Sequence, residues 1–213
     1  MKSDLHMHPL SHKYYFNMID GFSGVALDDE DRCNIRNVVD WCCYDRGLDT
    51  IALTDHDMIQ ASLYAEDYVA YSGVPIRIIT GVECTVRDPL SYDQEVHLLC
   101  LGLYQLPKYT SRTPVDRMIQ RVHDMGGTVI MSHPIIYPDS FYRYCHLLDG
   151  YEYRNSDKAP FDDGIEHLDS IGLNLRTYSN SDFHYEGALP TANAVHLHHN
   201  DFEFELAGRR KEG

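Results

Sequence analysis

Positive charge is scarce in this chain: 18 lysines and arginines stand against 33 aspartates and glutamates, for a formal net charge of -15. Binding to long nucleic acid or to an anionic membrane relies on neutralising phosphates, so this balance disfavours both as partners. A long apolar run is missing too. No stretch approaches the roughly 20 residues that span a bilayer, and Met1-Lys2-Ser3 leads straight into strand-like sequence with no signal-peptide core. The expected location is therefore cytoplasmic. Paired CxxC spacing is also absent. The six cysteines, at 33, 42, 43, 84, 100 and 145, fall mostly in apolar periodic segments, which points to reduced core thiols and away from a zinc ribbon or a disulfide framework. Neither an internal repeat nor a low-complexity segment is present.

What the chain does have is histidine, 13 in 213 residues, and a chain of this length can form one domain with a sizeable core. The first pair is His6 and His8 in Asp4-Leu5-His6-Met7-His8; strand alternation over residues 4 to 8 points both rings to one side. Residues 9 to 30 read as a loop, closed by the acidic cluster Asp28 to Asp31 that can cap the helix after it. Ile35, Val38, Val39 and Cys42 then give helical spacing up to a stop at Gly47. The run 50 to 54 reads as a strand buried on both faces and ends in Asp55-His56-Asp57. A helix over 58 to 71 follows, then a strand from 76 that ends in Gly81-Val82-Glu83.

Residues 85 to 94 form a connection too short for a crossover helix, and residues 95 to 101 a fourth strand with His97 inside it. Thr113-Pro114 opens a helix striped by Val115, Met118, Ile119 and Val122. Strand 128 to 131 ends in Ser132-His133-Pro134. A helix around Phe141 to Leu148, a strand at 150 to 153, a helix around Ile165 to Ile171 and a seventh strand at 173 to 179 lead to Ser181-Asp182-Phe183-His184. A short apolar stretch, 192 to 197, precedes a polar tail at 201 to 213.

Seven strands alternating with helices favour a parallel sheet closed into a barrel, with an open doubly wound sheet as the alternative. In such a barrel the functional groups come from the C-terminal strand ends, where His56, Glu83, His133, Asp182 and His184 fall. Imidazole nitrogens and carboxylate oxygens without thiolate suit zinc, manganese or iron, and a carboxylate such as Glu83 can bridge two ions. His123 and His146 sit on helices and read as structural, as does His167. His196, His198 and His199 read as surface residues.

The ordered set Asp4-Leu5-His6-Met7-His8, residues 47 to 57 with Thr54-Asp55-His56-Asp57, Gly81-Val82-Glu83, Val96-His97-Leu98-Leu99, Ser132-His133-Pro134 and Ser181-Asp182-Phe183-His184 resembles the PHP family, named for polymerase and histidinol phosphatase. The resemblance spans residues 4 to 184. It implies a distorted (β/α)7 barrel over residues 1–200, binding two or three divalent ions (manganese, zinc or iron) and hydrolysing a phosphoester through a water acidified between two ions. It also implies the division of ligands: His6, His8, Glu83 and Asp182 for one ion, Glu83, His97 and His133 for a second, and His12, His56 and His184 for a third. Pro9 stands where family members often have threonine, which leaves His12 or Asp20 to complete the third site. Asp4 and Asp55 are expected to orient ligand histidines, and Arg87 and Arg154 to bind substrate phosphate from the rim.

The expected substrate is a small phosphorylated metabolite or nucleotide. The alternatives are a 3'-to-5' exonuclease or nucleotide phosphodiesterase and, in another class, a metal-stabilised interaction barrel without catalysis.

Overall fold

The computed structural model describes residues 1–10, 26–110, 112–155 and 175–189. The chain begins with two short strands, β1 (Ser3–Asp4) and β2 (Met7–His8), separated by Leu5 and His6. Helix α1 (Asp29–Asp40) starts where the acidic cluster predicts. Asp28 caps it reciprocally: Asp31 N donates to Asp28 Oδ1 at 2.9 Å and Asp28 N to Asp31 Oδ2 at 3.0 Å. Its buried face is Ile35, Val38 and Val39, as the spacing requires. The next turn, Trp41–Asp45, widens to π geometry and closes with Arg46 N on Trp41 O. Gly47 then ends the run at a φ of +63°, a left-handed stop that only glycine adopts cheaply.

Strand β3 (Thr50–Ile51) lies between β1 and β4 (Arg77–Ile78) in a small parallel sheet, with helix α2 (Gln60–Ser72) connecting β3 to β4. A second, five-stranded sheet runs β5 (Gly81–Asp88), β6 (Gln94–Leu101), β7 (Thr128–Met131), β8 (Gly150–Asn155) and β9 (Arg176–Asn180). Helix α3 (Val115–Asp124) precedes β7, and α4 (Pro138–Tyr144) precedes β8. Finally β10 (Phe183–His184) pairs in parallel with β2. The short apolar stretch 192 to 197, the helix around 165 to 171 and the polar tail lie outside the described residues, as do His12, Asp20, His167, His196, His198 and His199.

This is a mixed α/β single domain with three sheets, and no closed barrel is found among the described residues. The departure from an all-parallel βα repeat has a local cause. Residues 85 to 94, expected as a loop, instead extend β5 to Asp88 and turn through Tyr92 and Asp93, both at positive φ, so that β5 and β6 pair antiparallel over eight registers. β6 and β7 are antiparallel as well, whereas β7–β8 and β8–β9 are parallel. The N-terminus of α3 also differs in detail. Pro114 is its extended cap residue, and the Thr113 hydroxyl instead accepts from Thr110 N at 3.0 Å.

Backbone contacts join the sheets around one place. Thr54 N donates to Met7 O at 2.7 Å, Glu83 N to Thr54 O at 3.1 Å, Asp57 N to Glu83 O at 2.8 Å, and Tyr185 N to His8 O at 3.0 Å. Below it lies an apolar floor made by Leu5, Ala52, Ile79, Leu99, Leu101, Ile130 and Tyr178. Alternation explains the layering: Leu99 is two residues from His97 and Tyr178 two from Asn180, each pair on one side of its strand. Gly150 is needed because a Cβ there would come within 2.5 Å of the Tyr178 ring that completes the floor. All six cysteines are free thiols, four of them buried.

Candidate metal centre

Glu83 is the hub. Its side chain is fully buried, and neither carboxylate oxygen has a hydrogen-bond partner. Five imidazole nitrogens nevertheless crowd it. His6 Nε2, His97 Nδ1 and His133 Nε2 lie 3.2, 3.4 and 3.5 Å from Oε1, while His56 Nδ1 and His8 Nε2 lie 3.0 and 3.4 Å from Oε2. A parallel bridge between His56 and Glu83 sets these two residues side by side. Asp182 adds a second carboxylate, with its Oδ1 3.2 Å from His6 Nε2 and 3.1 Å from His8 Nε2.

The structure thus brings His6, His8, Glu83 and Asp182 together, and also His97 and His133 on Glu83 Oε1. His56 and His184 join His8 in a further group whose ligand atoms lie within 4.8 Å of one another. His8 and His56 therefore each stand between groups, which the expected division had kept apart.

Several rings are held from behind, which fixes the nitrogen each turns toward the cluster. His6 Nδ1 lies 2.9 Å from Glu152 Oε1, His97 Nε2 3.2 Å from Glu95 Oε1, and His133 Nδ1 3.1 Å from the Tyr137 hydroxyl. Tyr137 donates its own proton to Ser132 O at 2.5 Å, so the His133 Nδ1–H is the donor in their contact. His184 Nδ1 donates to Asp182 O at 2.7 Å. Imidazole tied at one nitrogen and offered at the other is the arrangement expected around a metal ion. Three residues here are also held at positive φ: Asp57 at 53°, His133 at 28° and Asp182 at 54°. Such strain in non-glycine residues clusters at functional sites.

Electrostatics follow the geometry. Burial alone pushes Glu83 up, yet the charges of His6, His56 and His97 hold it well below the ordinary carboxylate range. Asp182 is likewise held well below despite burial, by His6 and His8. His6 is raised well above its usual value because Asp182, Glu83 and Glu152 together outweigh desolvation. His97 is pushed up to about 10 against its burial, chiefly by Glu83. Burial lowers His8 to about 4 and His56 well below the ordinary imidazole value.

The four remaining expected residues are placed differently. Asp4 does not touch a ring: its Oδ1 accepts from the backbone N of His6 and of Ser181, both at 3.2 Å. Asp55 Oδ1 accepts from Leu10 N at 2.9 Å. Both carboxylates brace chain turns that carry ligand candidates, and burial raises them, to about 7 and about 8. Arg87 lies on the Glu83 face of β5, but its guanidinium is engaged by Glu95 Oε2 at 3.0 Å and Asp93 O at 3.1 Å. Arg154 is exposed and sits over the Tyr153 ring, away from the cluster. The cause is a bulge in β8, where Glu152 pairs with Tyr178 and Arg154 with Ser179, so that Tyr153 is an extra residue. The inward alternation therefore resumes at Asn155.

Glu152, Asn155 and Asn180 were not singled out by the sequence. All three are buried against the cluster. A glutamate at alternation distance inside strand Gly150-Tyr151-Glu152 was the available signal; the bulge that recruits Asn155 leaves none. Among the other histidines, His123 pairs with Asp149 at 2.9 Å and His146 is exposed.

No family model matches the chain, and no curated protein does either. Solved structures do. A Bifidobacterium adolescentis protein provisionally described as a metal-dependent phosphoesterase matches with a TM-score of 0.59 and 16% identity over 91% of each chain. An amidohydrolase from Chromobacterium violaceum, determined with sulfate and without metal, matches with a TM-score of 0.60 and 16% identity over 95% of this chain and 92% of its own. At that identity the likeness is one of fold: this chain shares the fold of these two proteins. No helix among the described residues is long and apolar enough to cross a membrane.

Proposed function

We propose that the chain is a metal-dependent phosphoesterase of the PHP type, built on a distorted (β/α)7 scaffold and acting on a small phosphorylated metabolite or nucleotide. One observation carries the reading: a fully buried carboxylate, Glu83, has no hydrogen-bond partner on either oxygen yet is ringed by five imidazole nitrogens within 3.5 Å. A buried charge left without hydrogen bonds is costly unless another charge compensates it. The donor set of nitrogen and oxygen without thiolate suits manganese, zinc or iron. His6, His8, Glu83 and Asp182 would hold one ion, and Glu83 with His97 and His133 a second. His56 and His184 would serve a third.

Bound ions would supply Lewis acidity toward a phosphoryl oxygen and lower the pKa of water. The chain's own residues do the rest. Glu83 and Asp182 set negative charge on the inner side of the cluster, and the rings around them are oriented by Glu95, Glu152 and Tyr137. The apolar floor of Leu99, Ile130 and Tyr178 excludes water from below, which strengthens every charge interaction above it. With Arg87 engaged and Arg154 turned outward, neither is assigned to the phosphate.

The test is a hydrolysis screen with protein reconstituted in manganese, zinc or iron(II). Phosphate release from mononucleotides or sugar phosphates, with a labelled oligonucleotide left intact, is the expected result. Cleavage of the oligonucleotide would move the assignment to a nuclease or phosphodiesterase, and hydrolysis of amides alone to an amidohydrolase. Metal that raises the melting temperature with no hydrolysis at all would favour the non-catalytic barrel.

A further inference from the structure

Behind the cluster, Glu152 is surrounded by donors. His6 Nδ1 and Asn180 Nδ2 reach Oε1 at 2.9 and 2.8 Å, while His133 N and Asn155 Nδ2 reach Oε2 at 2.8 and 2.9 Å. A carboxylate accepts about four hydrogen bonds, and here every one is supplied by N–H. Asn155 Nδ2 also lies 3.2 Å from Asp182 Oδ2, which ties the second carboxylate of the cluster to the same group.

We propose that Glu152 is a positioning residue that fixes His6 with its proton on Nδ1 and its Nε2 lone pair facing Glu83 and Asp182. By holding the backbone N of His133, it also anchors that residue in its left-handed turn. The inference rests on the metal-centre reading and adds what sets the orientation of its first ligand. It gives glutamine a specific meaning at this position. The His133 N–H is a backbone donor that cannot reverse, so the amide oxygen of Glu152→Gln must stay on that side, and its NH2 must turn toward His6. An NH2 facing His6 requires Nδ1 to accept, which moves the ring proton to Nε2, the nitrogen offered to an ion.

The experiment is metal titration of the full chain with zinc, read by elemental analysis, together with 15N spectra of histidine-labelled protein. Wild type is expected to show a hydrogen-bonded proton on His6 Nδ1. Glu152→Gln is expected to lose that proton and to weaken one zinc site about 10–100-fold, leaving the ion on His97 and His133 in place. Glu152→Ala, which also frees His133, is expected to weaken two. A Glu152→Gln protein with wild-type zinc content and an unchanged Nδ1 proton would overturn the proposal. So would a wild-type spectrum in which His6 carries a proton on Nε2 and none on Nδ1, a result that needs no folded variant. If wild type takes up no divalent metal, the functional reading fails, while the Nδ1 proton and its dependence on Glu152 still decide the positioning role.

Discussion

Two buried glutamates touch the same ring, that of His6, from opposite nitrogens, and they could hardly be treated more differently. Glu152 has four N–H donors on its two oxygens, while Glu83 has none with hydrogen-bond geometry. Taking a carboxylate out of water costs several kcal/mol. For Glu152 the surrounding amides and imidazole offset that cost through hydrogen bonds. For Glu83 the compensation is left to charge, either protonated histidines or cations. A saturated carboxylate serves orientation, and an unsaturated one among lone pairs serves a ligand.

The largest effect expected from breaking this contrast is at Glu83. Glu83→Ala should remove the shared ligand of two sites, so elemental analysis should find both ions lost and hydrolysis reduced to background. His97→Ala should lose only one. Next is metal removal. Chelation should lower the melting temperature of wild type, since an ion present at about a hundredfold its dissociation constant stabilises by about 2.7 kcal/mol. Calorimetry should find Glu83→Ala much less sensitive to the chelator.

Asp88 sharpens the comparison as a saturated carboxylate far from the cluster. It accepts from Ser140 Oγ at 2.7 Å, Tyr144 OH at 2.9 Å and Leu90 N at 3.0 Å, and pairs with Arg143. Burial alone would raise it, but these donors hold it below the ordinary carboxylate value. A depressed folded-state value means that its stabilisation is present above the unfolded carboxylate value of about 4 and is lost as pH falls through the lower folded one. Asp88→Asn should therefore cost about 2 kcal/mol at neutral pH. In denaturant melts, that gap to wild type should close on acidification below about pH 4. The smallest effect is expected at Arg154→Ala, within about 0.5 kcal/mol and without change in hydrolysis; a large loss of activity would return this arginine to the site.

Much of the cluster was legible in the sequence because strand ends converge. His6, His8, His56, Glu83, His97, His133, Asp182 and His184 each sit at or beside a predicted strand, and the structure gathers all eight. The helices were legible where apolar spacing was regular, as in α1 and α3. What the sequence hid was strand direction and phase. Nothing in residues 85 to 94 announced that the connection would be a hairpin, since Tyr92 and Asp93 are not the glycines that usually mark one. Arg154 was expected just past the end of its strand, whereas the strand runs on to Asn155 with a bulge at Tyr153 that turns Arg154 outward. Of the four donors around Glu152, His133 N is backbone and carries no letter in the sequence, and Asn155 reaches Glu152 from beyond the bulge.

That bulge has a consequence for how the site could survive a change of length. Tyr153 is the residue with no partner in β9, so deleting it would leave Arg154 opposite Ser179 and Asn155 opposite Asn180, both in their present registers, with the Asn155 amide still beside Asp182. In evolutionary terms, the chain can shorten by a single residue at this point with every ligand side chain still in its place.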